Sequence, residues 1–415
     1  LQDWGFFDLC FGGHLRSKPR IFVHQFLLDQ FLRVALTSTR HRPPLYILPS
    51  QLLTSMSHIN NMAPPIIDVT PVMAAFSTSS SSSSASPDLT HNPELRACVD
   101  AIRAACINWG FFQCTHHGIP DDVLEHFDHE CRNFFELPLS VKRPIKRTAT
   151  NSRGWFDDEL TKQIRDWKEC IDIGQPGKSK VDGENQWPSA SAAPAFRPAM
   201  ERYYHHCWVL SRALLRACAV GLGMAPNHFD EEAEPHTSYL RLNYYPVCGQ
   251  KIAPDTHGYD EPDPEHEGSL GINKHSDAGC LTVLRQYPDQ PSSLQVYQDD
   301  RWHRVVPMKG ALTINIGDMM QVWSNGLYKA PLHRVLADRE RVRYSAPFFY
   351  NPSYQTMVTP VKSAGVPKYH PLSWAEFRRR RFEGDFGDYS ADVQISDWLI
   401  KGGKYGGGGL TSSRL

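Results

Sequence analysis

Apolar positions recur with a helical period in the first half of the chain and with a strand period in the second. From Pro93, the residues Leu95, Cys98, Val99, Ile102 and Cys106 follow the i, i+3, i+4 rule, with Gly110 just past the end, which predicts a helix. Phe111–Thr115 reads as a strand. Asp121 and Asp122 open a second helix with Leu124, Phe127, Cys131 and Phe134 on one face. A third helix runs from about Pro198 to Gly221 or Gly223, with Cys207, Leu210, Leu214, Leu215 and Cys218 inward. Ahead of all three, the run Pro64–Val69 reads as the first strand.

Short β-rich runs then follow one another: Ser238–Tyr245, Leu281–Leu284, Leu294–Tyr297, Trp302–Val306, Leu312–Ile316, Met319–Trp323, Arg334–Leu336 and Arg341–Tyr350. Turn signals such as Gly317-Asp318 and Ser324-Asn325-Gly326 separate them. Strands this short and closely spaced predict a jelly roll, a double-stranded β-helix, within an α+β fold. Trp374–Phe382 and Val393–Ile400 read as carboxy-terminal helices, and the Gly-rich stretch 402–409 as a frayed tail.

These patterns divide the chain into 61–235, mainly helical, 236–355, the jelly-roll core, and 356–415, the carboxy-terminal helices and tail. A serine-rich insertion, 77–86, interrupts the first of these and reads as a linker. Residues 1–60 have a different character and are expected to be disordered. They read as a targeting segment, an extension or translated upstream sequence, the last favoured, with Met56 or Met62 as the alternative start.

Charge narrows the choice of partner. Forty-four basic residues stand against 45 acidic ones, a net charge of −1, which gives no general pull towards nucleic acid or anionic membrane. No run of apolar residues is long enough to span a bilayer. The ten cysteines form no C-x-x-C pair, which fits reduced thiols in a cytoplasmic setting rather than a disulfide framework. A monomer acting on a small molecule is the expectation.

Three H-x-D triplets occur. His126 and Asp128 lie within a predicted helix, where positions i and i+2 diverge by roughly 200° and cannot converge on one ion. His228 and Asp230 sit in a polar turn; both pairs read as ordinary surface residues. His275 and Asp277 stand at the start of a strand region, where i and i+2 share a face, and His333 follows on another strand. Two imidazoles and a carboxylate on one face suit ferrous iron with open positions. With 19 histidines in the chain, the triplet alone does not separate a metal site from three unrelated polar residues. Arg343 and Ser345 add weight, because a guanidinium fork beside a hydroxyl inside a barrel needs an anionic partner. Asn243 and Tyr245 close an alternating strand and offer an amide and a phenol to the same pocket.

In chain order, Pro64-Pro-Ile-Ile-Asp-Val69, Trp109-Gly-Phe-Phe-Gln113, His117-Gly-Ile119, Phe134-Phe-Glu-Leu-Pro138, Gly154-Trp155 and Trp167-Lys-Glu169 come first. They are followed by Asn243-Tyr-Tyr-Pro246, His275-Ser-Asp277, Ser324-Asn-Gly326, His333-Arg-Val335 and Arg343-Tyr-Ser345. Together these resemble the isopenicillin N synthase-like class of 2-oxoglutarate- and Fe(II)-dependent dioxygenases, from about residue 64 to 400. The resemblance implies that His275, Asp277 and His333 are iron ligands. It implies that Arg343 and Ser345 hold the distal carboxylate of 2-oxoglutarate with help from Tyr245, and that Asn243 lies near the cosubstrate's other end. Hydroxylation or desaturation of a small molecule would follow, with dioxygen and ascorbate beside iron and 2-oxoglutarate. An oxidase of the same fold that does not use 2-oxoglutarate, and a non-catalytic jelly-roll binding protein, are the alternatives. The acidic segment 249–270 is longer than the class leads one to expect and reads as a surface loop or a lid.

Overall fold

The computed structural model describes residues 63–77, 92–161, 164–177, 181–248, 270–384 and 393–400. The expectations for 1–60, for the serine tract after Ser77, for 249–269 and for the Gly-rich tail lie outside the described residues.

Six helices are labelled here: α1 (Thr70–Phe76), α2 (Pro93–Asn108), α3 (Asp121–Glu136), α4 (Phe196–Gly221), α5 (Asp318–Trp323) and α6 (Trp374–Gly384). Helix α2 begins where the pattern predicts, because the Asn92 side chain accepts from the Leu95 N–H at 2.9 Å and Pro93 supplies the first-turn φ. Its Leu95, Cys98, Val99, Ile102 and Cys106 are all buried. In α3, the two aspartates in the first turn complement the helix dipole, and Leu124, Phe127, Cys131 and Phe134 are buried. Helix α4 packs against α1, α2 and α3, so the amino-terminal helices share one apolar core with the larger sheet.

The twelve strands of the two main sheets are β1 (Ile66–Asp68), β2 (Phe111–Thr115), β3 (Gly154–Phe156), β4 (Glu169–Gly174), β5 (Tyr239–Tyr245), β6 (Leu270–His275), β7 (Leu281–Arg285), β8 (Leu294–Gln298), β9 (Arg301–Arg304), β10 (Leu312–Ile316), β11 (His333–Leu336) and β12 (Arg343–Tyr350). Among the described residues they form one sheet in the order β1-β2-β10-β7-β12-β5-β4-β3 and a second in the order β9-β8-β11-β6. The second core cluster, containing Phe111, Tyr245, Leu284, Leu294, Val296 and Val335, draws residues from both sheets and fills the space between them. This is the predicted α+β jelly roll.

Several elements differ from the sequence expectation. Met319–Trp323 is not a strand: Asp318–Trp323 is a helix whose Met319, Met320, Val322 and Trp323 are all buried. A short apolar run buried on every side carries no periodicity to separate helix from strand. The first half holds β3 and β4 in addition to helices, and both join the eight-stranded sheet. Val393–Ile400 is no helix along its length: it holds a 3-10 turn, Ile395–Trp398, and an antiparallel bridge from Leu399 to Tyr369.

Two glycines allow the close approaches that this packing needs. Gly110 has φ +64°, and a Cβ there would meet the Lys329 carbonyl oxygen at 2.3 Å. At Gly317, between β10 and α5, a Cβ would lie 2.3 Å from the Gly279 carbonyl oxygen. Because that neighbour is backbone, Gly317→Ala is expected to destabilise by roughly 1–3 kcal/mol, the usual cost of overpacking, in urea unfolding. An unchanged midpoint would show that the 277–280 loop is free to move aside.

Candidate functional site

Sheet register brings the dispersed residues together. Strands β6 and β11 are antiparallel with His275 directly opposite His333. The two imidazole centroids lie 4.3 Å apart. Asp277 follows β6 in the connection to β7, and its Oδ1 lies 3.7 Å from His275 Nε2 and 3.5 Å from His333 Nε2. His275 therefore ends a strand rather than starting one. The turn after it, not an i, i+2 strand face, brings the carboxylate to the histidines.

The ring orientations follow from the backbone. Nδ1 of His275 is 2.8 Å from the Asn273 carbonyl oxygen, and Nδ1 of His333 is 3.1 Å from that of Pro331. A carbonyl can only accept, so each Nδ1 carries a hydrogen, which leaves each Nε2 facing Asp277 Oδ1 as the atom a shared cation would take. Phe111 meets the His333 ring edge-on at 5.5 Å. The other carboxylate oxygen is held by the cross-strand pair Thr282 and Asn315, which donate to Asp277 Oδ2 at 2.5 and 2.7 Å. These supports are of the kind that orient metal ligands.

Electrostatics agree with the geometry. Burial and the neighbouring His333 pull His275 down to about 3, so this ring is neutral near pH 7. Burial would raise Asp277, but His333, His275 and the Thr282 hydroxyl together outweigh it and hold the carboxyl well below the usual range. His333 is raised, because Asp277 more than offsets its burial. The pocket thus stabilises positive charge beside Asp277 Oδ1, and one anionic oxygen with two imidazole lone pairs fits a divalent transition metal.

The second cluster is equally a product of register. Arg343 pairs with Tyr245, and Ser345 with Asn243, across β12 and β5. The Arg343 guanidinium is 3% exposed, donates to Ser345 Oγ at 3.3 Å and to Gln286 Oε1 at 3.1 Å, and lies 4.8 Å from the Tyr245 ring centroid. Asn243 donates to Ser345 Oγ at 3.3 Å. Among the described residues no carboxylate pairs with Arg343, and burial lowers its pKa. A buried guanidinium held only by neutral groups is arranged for an anion from outside the chain. All seven residues singled out in the sequence line one cavity of about 160 Å³.

In the other H-x-D pairs His126 is exposed and His228 half-buried, as surface residues would be, but the aspartates are tied into ion pairs. Asp128 pairs with Arg285 at 2.7 Å and accepts from the Tyr287 hydroxyl at 2.9 Å, while Asp230 pairs with Arg216 at 2.7 Å. Both aspartates tie helix to neighbour, away from the histidines.

Sequence reasoning missed a wall of buried charge on the same cavity. Arg241 bridges Asp172 (Nε to Oδ1, 2.7 Å) and Glu159 (Nη1 to Oε2, 2.8 Å), and Lys168 joins Glu159 at 2.7 Å and Asp166 at 3.0 Å. Alternation within β5 offered one signal, since Arg241 and Asn243 share the face of Tyr245. Of the acidic partners, Asp172 lies on β4, whereas Glu159 and Asp166 come from loops with no pattern of their own. Burial would raise Glu159, but Arg241, Lys168 and Arg147 hold it well below the usual range. Such a group stabilises the fold above its unfolded value of about 4.3, and that contribution is lost as pH falls through the lower folded value. Glu159→Gln should therefore cost roughly 3 kcal/mol at pH 7 in denaturant unfolding, with the gap to the parent protein narrowing below about pH 4. A gap that persists in acid would point to packing instead.

Comparison with known proteins gives a consistent picture. Residues 236–352 match the family described as the 2OG-Fe(II) oxygenase superfamily, and residues 81–190 the one described as non-haem dioxygenase in morphine synthesis N-terminal. The chain is 33% identical over 311 residues to a homoarginine-6-hydroxylase of Glycine max, across 72% of this chain and 88% of that protein. It is 31% identical over 301 residues to gibberellin 20 oxidase 2 of Oryza sativa subsp. indica, across 70% and 73%. The crystal structure of JOX2 in complex with 2OG, Fe and JA superposes with a TM-score of 0.62 at 25% identity, covering 89% of this chain and 97% of that one. The rice dioxygenase for auxin oxidation, at 20% identity and a TM-score of 0.58 over 81% and 99%, shares the fold.

Proposed function

Because the chain belongs to the 2OG-Fe(II) oxygenase superfamily, we propose that His275, Asp277 and His333 hold its iron and that Arg343, Ser345 and Tyr245 hold the distal carboxylate of 2-oxoglutarate, with Asn243 beside them. The protein is an oxidoreductase, a 2-oxoglutarate- and Fe(II)-dependent dioxygenase. The observation that carries the residue assignment is the position of Asp277 Oδ1 between two Nε2 atoms that backbone bonds at Nδ1 leave facing it.

Iron bound in this class of site supplies the activation of dioxygen and the oxidative decarboxylation of 2-oxoglutarate to succinate, which drives oxidation of the substrate. The chain supplies the geometry. Thr282 and Asn315 keep Asp277 from rotating, so that one oxygen faces the histidines. Arg343 and Ser345 offer a fork and a hydroxyl to a carboxylate from a site that Leu284, Leu294 and Val335 help to keep dry. On this reading the substrate is a small molecule, hydroxylated or desaturated. The paired charges of Arg241, Glu159, Asp172 and Lys168, together with Phe349, Trp374 and Phe382 on the same cavity, support a molecule with both polar and apolar parts. The proposal extends to a monomeric, cytoplasmic enzyme without nucleic-acid or membrane partners. The balanced net charge and the nine free, buried cysteines among the described residues support it, and no helix among those residues is long and apolar enough to cross a membrane.

Two variants separate the roles. His275→Ala is expected to abolish Fe(II) binding in anaerobic titration while far-UV circular dichroism stays the same. Arg343→Met is expected to keep Fe(II) binding but weaken 2-oxoglutarate by about 30-fold or more, since truncating one partner of a buried charge pair costs about 2–5 kcal/mol. Intact metal binding in the first variant would sink the ligand assignment.

A further inference from the structure

The turn that carries two of the three donors is held from both sides. On one side, the start of α5 binds it through three backbone bonds. The Gly317 N–H donates to the Cys280 carbonyl at 3.0 Å, Asp318 to Asp277 at 2.8 Å and Met319 to Gly279 at 3.0 Å. On the other, Arg381 of α6 donates from Nη2 to the Ser276 carbonyl oxygen at 3.0 Å and from Nη1 to that of Val393 at 3.1 Å. Ser276 is the residue between His275 and Asp277. Its carbonyl belongs to the peptide that joins it to Asp277, and a peptide is planar. Fixing that oxygen therefore fixes the plane from which the Asp277 side chain departs.

Of the other arginines in the run 378–381, Arg378 also lines the cavity, but Arg379 and Arg380 behave differently. Arg379 and Arg380 pair with Glu376, and Arg379 also with Glu383, on their own helix. Their side chains are close to half exposed, whereas Arg381 leaves the helix and lines the cavity.

We propose that Arg381 is a positioning residue for the metal centre: it clamps the Ser276–Asp277 peptide and couples the seating of α6 to the geometry of the His275 and Asp277 donors. The inference rests on the assignment of His275, Asp277 and His333 as ligands. It adds a residue outside the sets assigned to metal and cosubstrate, from an element outside the double sheet.

The test uses the full chain with Mn(II), a redox-silent probe, in calorimetric titration, and thermal unfolding of the metal-free protein. Arg381→Ala is expected to weaken Mn(II) binding by about 10- to 100-fold, the range seen when a group that orients a metal ligand is removed. Arg381→Lys, which keeps the charge but loses the fork, should recover part of that loss and covers the case in which the alanine variant does not fold. A purely structural Arg381 would lower the metal-free unfolding temperature and leave Mn(II) affinity of the folded variants within twofold of the parent, and that result would overturn the proposal. A parent protein that binds no Mn(II) would instead overturn the ligand assignment, and the inference with it.

Discussion

A carboxylate with almost no access to water, 6% exposed at Asp277, sets the terms for this structure. In a low-dielectric interior its charge survives only if both oxygens are occupied. Thr282 and Asn315 take one oxygen, and the two imidazoles face the other. Thr282 and Asn315 are register partners across β7 and β10, and His275 and His333 across β6 and β11. A one-residue slip in either pairing would turn these side chains to the opposite face and leave the carboxylate stranded. The site and the strand register therefore specify each other.

The same logic operates with opposite sign at Arg343. Its guanidinium is buried among neutral donors and acceptors, and Gln286, which accepts from it, also donates to Thr313 Oγ1 at 3.0 Å. Thr313 and Asn315 lie on one face of β10, so a single strand supports both the carboxylate and the guanidinium. An anion binding at one and a cation at the other would each complete a charge pair that the chain prepares but does not close. The ionic wall at Arg241 differs because its charges pair with one another, and it gives a fixed polar surface beside the two open charges.

Much of this was legible in the sequence where periodicity and chemistry coincide. Helices α2 and α3 and strands β2 and β10 match their expected spans closely, because their apolar faces repeat over several residues. His275, Asp277, His333, Asn243, Tyr245, Arg343 and Ser345 all line the expected cavity. What failed did so where local pattern carries no information. Asp318–Trp323 is apolar without a period, and its helical form depends on the backbone bonds that tie Gly317, Asp318 and Met319 to the 277–280 loop. Thr282, Asn315 and Gln286 were overlooked, although a polar residue inside an apolar strand such as Leu312–Ile316 is itself a sign of a buried partner. Glu159 and Asp166 acquire meaning only when β5 is paired with β4.

The account stands or falls on two preorganised charges that await a metal and a carboxylate in one cavity. Anaerobic equilibrium dialysis against Fe(II), with labelled 2-oxoglutarate in parallel, tests it most directly. The account predicts one iron per chain and 2-oxoglutarate binding that tightens at least tenfold when iron is present. No retained iron, or cosubstrate binding indifferent to it, would contradict the account.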